Sequence, residues 1–536
     1  MPARRIARSW ALAALLLLAL AAAPVTFAPE ASLAARTRPA ALAGGWYPEG
    51  RAALVSAAHL LMRAGRPDAP PRVRPVALVV PHAGWNYSGP VAGTAYRLLR
   101  PGDFDRVVVV GPSHHEAFRG YAIDDASAYR TPAGDVPLCD GAFAALRGRE
   151  AQPVPAATGP EHSVEIQLPF LQAALGSFCL VPVLVGDTGP DEERAFAARL
   201  AALDDGRTLF VFSSDFSHYG PRFDWQPFGA LSPAAVEKIR ATNARGVDLL
   251  SRVDAAGFRA YLRETGNTIC GRNGLATMLE LLPRIAPKAR ASTLGRYMSS
   301  DIPGLKDDSS VAYVAMAFVR DGEPPAGDPL LVPPRLRDAP PDTPSLPPDD
   351  ARRLVRLARA ALRTELLGTE DLRKQLAEWP RGEERETRQG VFVTLNRKDA
   401  GEIAREGKLR GCIGQPEPTF PLYYGTVQAA LDAALHDPRF PPVTGAELPR
   451  LEVEVTVLSP RRPIASPAEI RIGTHGVVLQ KDGKAALFLP QVAPEQGWNV
   501  DETLDALCEK AGLPRGAWRE GARLSVFTGQ VIGERP

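Results

Sequence analysis

The chain reads as two folded units in series, a layered α/β sheet domain followed by an α+β domain. Three observations predict this. Short apolar runs at 76–80, 106–110, 180–185, 208–212 and 310–319, each suited to a buried parallel strand, alternate with Ala- and Leu-rich helical stretches. Residues 321–350 then hold ten prolines in thirty positions, which supports neither a strand ladder nor a helix interior and reads as an extended linker. Beyond it, a helical segment over 352–367 puts Leu354, Leu357, Ala361 and Leu362 on one face and precedes strand-like runs at 391–395, 451–458 and 485–489. The expected boundaries are 1–28 for a targeting segment, 40–320 for the first domain, 321–350 for the linker and 351–536 for the second domain. Few contacts are expected to cross such a linker, so each half should behave as its own cooperative unit.

Composition narrows the function classes. The 536 residues are 45% apolar and 23% charged, the usage of globular chains, and this sets aside wholesale disorder and a multi-pass membrane protein. A net charge of +2, from 63 basic against 61 acidic residues, leaves no general electrostatic footprint for nucleic acid, and no nucleic-acid partner is expected. Five cysteines at 139, 179, 270, 412 and 508 are widely scattered without a CxxC pair, so neither a disulfide scaffold nor a thiolate zinc site is indicated. Arg4, Arg5 and Arg8 precede an apolar run from Trp10 to Ala23 that Pro24 ends, the order of a secretory signal. The protein is therefore expected to be exported, with an uncleaved anchor as the alternative, and to meet the membrane through this segment alone.

The histidines of the first half carry the functional argument. His82, His114, His115 and His218 closely follow the apolar runs, in PHAGW, GPSHH and SSDFSHYG. Side chains just past the carboxyl ends of strands in an open α/β sheet converge on one crevice, so residues more than a hundred positions apart can share a site. Neutral imidazole is a ligand for iron, copper, nickel and zinc. His82 and His114 are the leading ligand candidates, with a third ligand to be supplied elsewhere. Trp85, Tyr87, Phe216 and Tyr219 lie beside these histidines and would be apolar walls, although aromatic residues near strand ends are as often core. His59 sits in a helical stretch and reads as an ordinary buried histidine.

AGGWYP (43–48), PHAGWNYSG (81–89), GPSHH (111–115), EHSVEIQLPF (161–170), SSDFSHYG (213–220) and NTICGR (267–272), in this order, resemble the Memo family. That family is similar in fold to the class III extradiol dioxygenases. The resemblance implies metal ligands at His82, His114 and Cys270, with Asp215 and His218 as further polar or acid/base groups of the pocket. Cys270 by itself, in an Ile-Cys-Gly context, reads first as a small buried hydrophobe. A Cys where true extradiol dioxygenases have a carboxylate leaves the reaction open and makes copper an alternative to iron. Trp85 stands where Tyr is more usual, and Asn273 where a His is frequent. His162 is a candidate pocket residue, and Glu165, four residues beyond Glu161, is a candidate acceptor behind an imidazole.

In the second half KLRGCIGQPEP (408–418), ALHDPRFPPV (434–443), LEVEVTVLS (451–459) and ALFLPQVAPEQGWNVDETLDALCEKAGL (486–513) resemble the AMMECR family. Cys412 lies between two glycines, where a ligand can approach the sulfur, and Arg410 is a candidate cation to favour its thiolate. The competing reading packs Cys412 behind a glycine bulge. His436 and Asp437 could complete a Cys/His site or simply close a helix. Together the two resemblances match the B and A components of the AmmeMemoRadiSam system joined head to tail, which implies a radical SAM protein as a possible partner. An export signal fits poorly with that cytoplasmic chemistry. The expected function is a mononuclear iron or copper enzyme of redox, dioxygenase-like or lyase type acting on a small organic molecule. The alternative is a non-catalytic scaffold that binds metal or peptide.

Overall fold

The computed structural model describes residues 36–63, 73–124, 126–302, 307–320, 346–379, 389–398, 408–416 and 421–534. The expected targeting segment, 1–28, and most of the expected linker lie outside these residues. At its far end the linker is shorter than expected, because Pro348 already opens a helix that runs to Leu367. Proline is tolerated in a first helical turn, where its missing N–H has no partner to lose.

The first half is built on a nine-stranded sheet. Its centre is four parallel strands, β1 (Pro75–Val80), β2 (Arg106–Pro112), β3 (Cys179–Val185) and β4 (Thr208–Ser213), in the order β1-β4-β2-β3. Residues 107–112 and 180–185 are buried throughout, as are all of β1 and β4, which is why these strands are continuous apolar runs rather than alternating ones. β5 (Arg290–Met298) and β6 (Ser310–Val319) close one side as an antiparallel pair, β6 lying against β1. α1 (Arg51–Arg63) and α2 (Trp85–Tyr96) cover one face of the sheet, and α3 (Arg272–Ile285) packs on the other. The carboxyl ends of β1, β4 and β2 are therefore adjacent, and the loops that leave them carry His82, Asp215 and His114.

One covalent link was not expected. Cys139 and Cys179 form a disulfide across 40 residues, tying the loop after the strand at Gly134–Pro137 to the start of β3. Cys139 N–H donates to Leu180 O at 2.9 Å, so backbone pairing brings the two sulfurs together.

The second half follows α4 (Pro348–Leu367) and α5 (Asp371–Ala377) with two four-stranded antiparallel sheets. The first consists of β7 (Val391–Arg397), β8 (Leu409–Gln415), β9 (Leu451–Leu458) and a last strand at Gly529–Gly533. α6 (Leu422–Leu435) lies over it, and Ala429, Ala430, Ala433 and Ala434 pack into the core that holds Val391, Val393, Val453 and Val455.

The two halves are not separate cores, contrary to the expectation from the linker. α1 buries one side on α2 and the other on the second domain. Leu54, Val55, Ala58 and Met62 share one apolar cluster with Leu357 and Ala361 of α4, Leu372 and Leu376 of α5, and Tyr423 and Val427 of α6. Arg51 pairs with Glu370 at 2.8 Å, Ala52 N–H donates to Glu365 at 2.7 Å and Arg63 donates to Trp379 O at 3.1 Å. The physical reason is the composition of α1, which is apolar on two faces and needs two partners. The full chain is accordingly expected to unfold in one calorimetric transition. Tyr423→Ala, at a fully buried position of the shared cluster, should cost about 3–5 kcal/mol by cavity formation and lower that whole transition. Two resolved transitions, only one of them shifted, would contradict a shared core.

Candidate metal centre

Two close backbone approaches assemble the site. A Cβ on Gly271 would lie 2.5 Å from Ser214 Cβ and 2.9 Å from Ser213 O, so only glycine lets the loop that carries Cys270 sit on the end of β4. A Cβ on Gly111 would meet Ser163 Oγ at 2.4 Å, and its absence lets residues 161–163 close on the end of β2.

His82, His114 and Cys270 meet there, with a ligand atom of each within 4.8 Å of the others. Cys270 Sγ lies 3.1 Å from His82 Nε2, and the rings of His82 and His114 are 5.1 Å apart and edge-on. The far nitrogen of each ring is already engaged. His82 Nδ1 lies 2.9 Å from Ser213 Oγ, and His114 Nδ1 lies 2.9 Å from Glu161 Oε1. Both Nε2 atoms are thus left to face the cluster, the arrangement that metal-binding histidines need.

Asp215 is buried beside this cluster. Its Oδ1 accepts the His82 backbone N–H at 2.8 Å, while its own N–H donates to Cys270 Sγ at 3.2 Å. Burial raises its carboxyl above the usual range, against the pull of His218 and of the backbone donor at His82. His218 turns Nδ1 to the carbonyls of Phe216 and Thr268, at 2.9 and 3.1 Å. Its Nε2 makes no hydrogen bond among the described residues.

The electrostatics fit a cation. Burial, and then the charges of His114, His162 and His218, push the His82 imidazole well below its ordinary value. Burial and the neighbouring Asp215 carboxylate push the Cys270 thiol well up. Without a metal both groups stay neutral, whereas a bound cation favours the thiolate and uses the imidazole in the neutral form that burial already enforces.

Glu161 is the main support of the site. It caps the short helix His162–Glu165 through the N–H groups of His162 and Ser163, and also takes the N–H and Nδ1 of His114 at 2.6 and 2.9 Å. Burial works to raise its carboxyl, but the His114 and His162 partners hold it down at about 2. Glu161→Gln is expected to weaken metal binding about 10–100-fold in a chelator competition, the usual effect of losing a ligand's outer partner. Unchanged affinity would show that His114 needs no such partner.

His162 stacks on His114 at 4.3 Å, and burial, then His114, lowers it to about 4. The indole of Trp46, 39% exposed, covers it at 4.7 Å. Trp46 lies in the quoted AGGWYP stretch, yet its role was not legible.

Several expected residues lie elsewhere. Glu165 hydrogen-bonds to no imidazole among the described residues. It is fully buried on Arg38 at 2.6 Å, the N–H groups of Ala41 and Leu42, and Tyr47 Oη, because the helix turns its side chain toward the N-terminal strap. Trp85 is core, packed on Phe170 and Tyr47, and Tyr219 is core against Trp225. His115 is exposed and touches the cluster only through the edge of His162, at 6.1 Å.

In the second domain Arg410 does not serve Cys412. The register of β7 and β8 shifts between Leu395, opposite Gly411, and Asn396, opposite Leu409. Arg410 is the extra residue of this bulge and turns inward to Glu447 at 3.1 Å. The cation near Cys412 is Arg439, which donates to Cys412 O at 3.1 Å and pairs with Asp437 at 2.7 Å. Asp437 in turn accepts the Cys412 N–H at 2.8 Å. Burial still raises the thiol, so the local charges do not make a thiolate. His436 points away, 68% exposed, to Asp432.

The fold and this cluster define a class, α/β domains with an imidazole–thiol triad at the ends of parallel strands, here joined to an α+β partner. Residues 38–317 match the family model described as Memo-like protein, and residues 355–532 match that described as AMMECR1. The chain belongs to the Memo-like family and carries an AMMECR1 domain fused behind it. It is 36% identical over 251 residues to the protein memo-1 homolog of Caenorhabditis elegans, covering 46% of this chain and 71% of that one. It is 30% identical over 294 residues to protein MEMO1 of Mus musculus, covering 52% and 97%. Protein PF1979 of Pyrococcus furiosus is 42% identical over 193 residues, covering 34% of this chain and 86% of its own. Among solved structures, the uncharacterized protein PH0010 from Pyrococcus horikoshii shows 38% identity, covers 35% of this chain and 92% of its own, and has a TM-score of 0.31.

Proposed function

We propose that the first domain is a mononuclear iron or copper enzyme, of redox, dioxygenase-like or lyase type, acting on a small organic molecule. The observation that supports this reading is the meeting of His82, His114 and Cys270 with both imidazoles fixed from behind. These three residues would hold the metal, whose open positions supply Lewis acidity or one-electron chemistry to a bound substrate. Asp215 fixes His82 and Cys270 through backbone bonds and, with its carboxyl raised by burial, is suited to hold a proton beside them. His218, whose Nε2 makes no hydrogen bond among the described residues, is suited to take or give that proton. Trp46 covers His162 and limits water on that side. A fold of the extradiol dioxygenase type is compatible with this arrangement of strands and ligands.

The compartment follows the same line. We propose that the protein acts outside the cytoplasm, a reading supported by the Cys139–Cys179 disulfide, which suits an oxidising environment, and by the N-terminal signal pattern. Such a location favours action without a radical SAM partner. The functional reading is tested by dioxygen uptake and single-electron cycling of the anaerobically purified chain. Turnover that disappears in Asp215→Asn while metal content persists supports an enzyme. Tight metal with no redox response in any variant points instead to the non-catalytic scaffold.

A further inference from the structure

We propose that a basic cleft in the second domain, remote in sequence from the metal centre, binds a small aliphatic polyanion. α4 carries Arg352, Arg356, Arg359 and Arg363 at spacings of four, three and four, which aligns them along one side of the helix. They line a cleft of about 500 Å³ together with Lys374 of α5, over a floor that includes Val355 and Ala360. A volume of this size accommodates a small organic ligand.

The charges within the cleft do not balance. Five cations line it against two carboxylates, Asp371 and Glu534. Arg359 is fixed on Glu534 and on the carbonyls of Leu448 and Leu451, and Arg363 pairs with Asp371 at 2.5 Å. Arg352 pairs with Asp349 outside the cleft. Arg356 and Lys374 make no ion pair within the described residues. The Arg356 guanidinium and the Lys374 ammonium, which reaches Asp371 only through space, stand beside a wall of fixed arginines and match phosphate or carboxylate groups. No aromatic side chain lines the cleft among the described residues, so it offers no stacking surface for a nucleobase. The shared chemistry of the ligand is therefore two or more anionic groups on a short aliphatic frame, phosphoryl or carboxylate in origin.

Calorimetric titration of the full chain with inorganic diphosphate and, separately, with tricarballylate distinguishes the two origins. At low ionic strength one probe at least should saturate at one equivalent and weaken steeply with added salt. Arg356→Ala combined with Lys374→Ala should weaken it tenfold or more, both positions being exposed and free of core contacts. Arg353→Ala, which removes one positive charge from a neighbour that does not line the cleft, should leave it unchanged. Preference for diphosphate assigns a phosphorylated ligand, and preference for tricarballylate a polycarboxylate. Heat from chelation at the metal centre would persist in the double variant. Failure of both probes to saturate, or equal binding by the double variant and Arg353→Ala, overturns the proposal.

Discussion

Replacing His82, His114 or Cys270 by alanine is expected to abolish stoichiometric iron or copper at near-neutral pH. Each substitution removes one of three protein ligands, a larger loss than that of an outer partner, which costs about 10–100-fold in affinity. The effect should be greatest for His82. It is buried, its Nε2 lies 3.1 Å from the thiol, and its backbone is held by Asp215. Asp215→Ala should retain metal while losing activity, and Cys412→Ala should leave metal content unchanged, since its surroundings are Asp437, Arg439 and Thr394 rather than imidazoles. If Cys270→Ala still bound one equivalent with unaltered affinity, the thiol would not be a ligand. Asp215 or Glu161 would then be the anionic candidate, because every near contact of Glu165 is spent on the strap at residues 38–47.

Glu165→Ala is expected to be as destabilising as any single change away from the metal. Arg38 and Glu165 are 1% and 0% exposed, and the guanidinium also donates to the carbonyls of Thr158 and Glu161. Removing the carboxylate leaves a buried cation and two backbone donors unpaired, a loss of about 3–5 kcal/mol. Replacing both partners, Arg38→Met with Glu165→Leu, should recover much of it, since a buried pair exchanged for apolar groups is often near neutral. Thermal denaturation of the single and double variants makes the comparison. A single variant as stable as the parent would show that Arg38 finds another partner. The change should also loosen the metal site, because Arg38 holds the carbonyl of Glu161 and Glu161 holds His114.

The strands were legible because burial on both faces forces continuous apolar runs, and His82 and His114 were legible because strand ends in such a sheet converge. Cys270 was different. It follows no strand and enters from a loop before α3, so family resemblance alone pointed to it. Spacing misled at Glu165, where helical periodicity suggested a carboxylate behind an imidazole. The working residue was Glu161, whose signal was its place as an acidic N-cap directly before His162. β5 escaped notice because its exposed and half-buried first residues and a register shift between Thr293 and Gly295 break the alternation of a strand. Arg410 turns away from Cys412 because a bulge reverses side-chain direction, and the sequence marks that bulge only by the adjacent glycine. The disulfide was missed for a related reason, since no local spacing encodes a pairing set by the contact of residue 139 with β3.

On the proposed reading, two imidazoles and one thiolate of the first domain hold a single metal ion. X-ray absorption at the metal edge, on full chain purified without air or affinity metal, tests it most directly. One equivalent of iron or copper is expected, with one sulfur neighbour at about 2.3 Å, an ordinary metal–thiolate length, together with imidazole nitrogens, and with loss of the sulfur shell in Cys270→Ala. A metal surrounded only by oxygen and nitrogen, or a protein that takes up no iron or copper under these conditions, would contradict it.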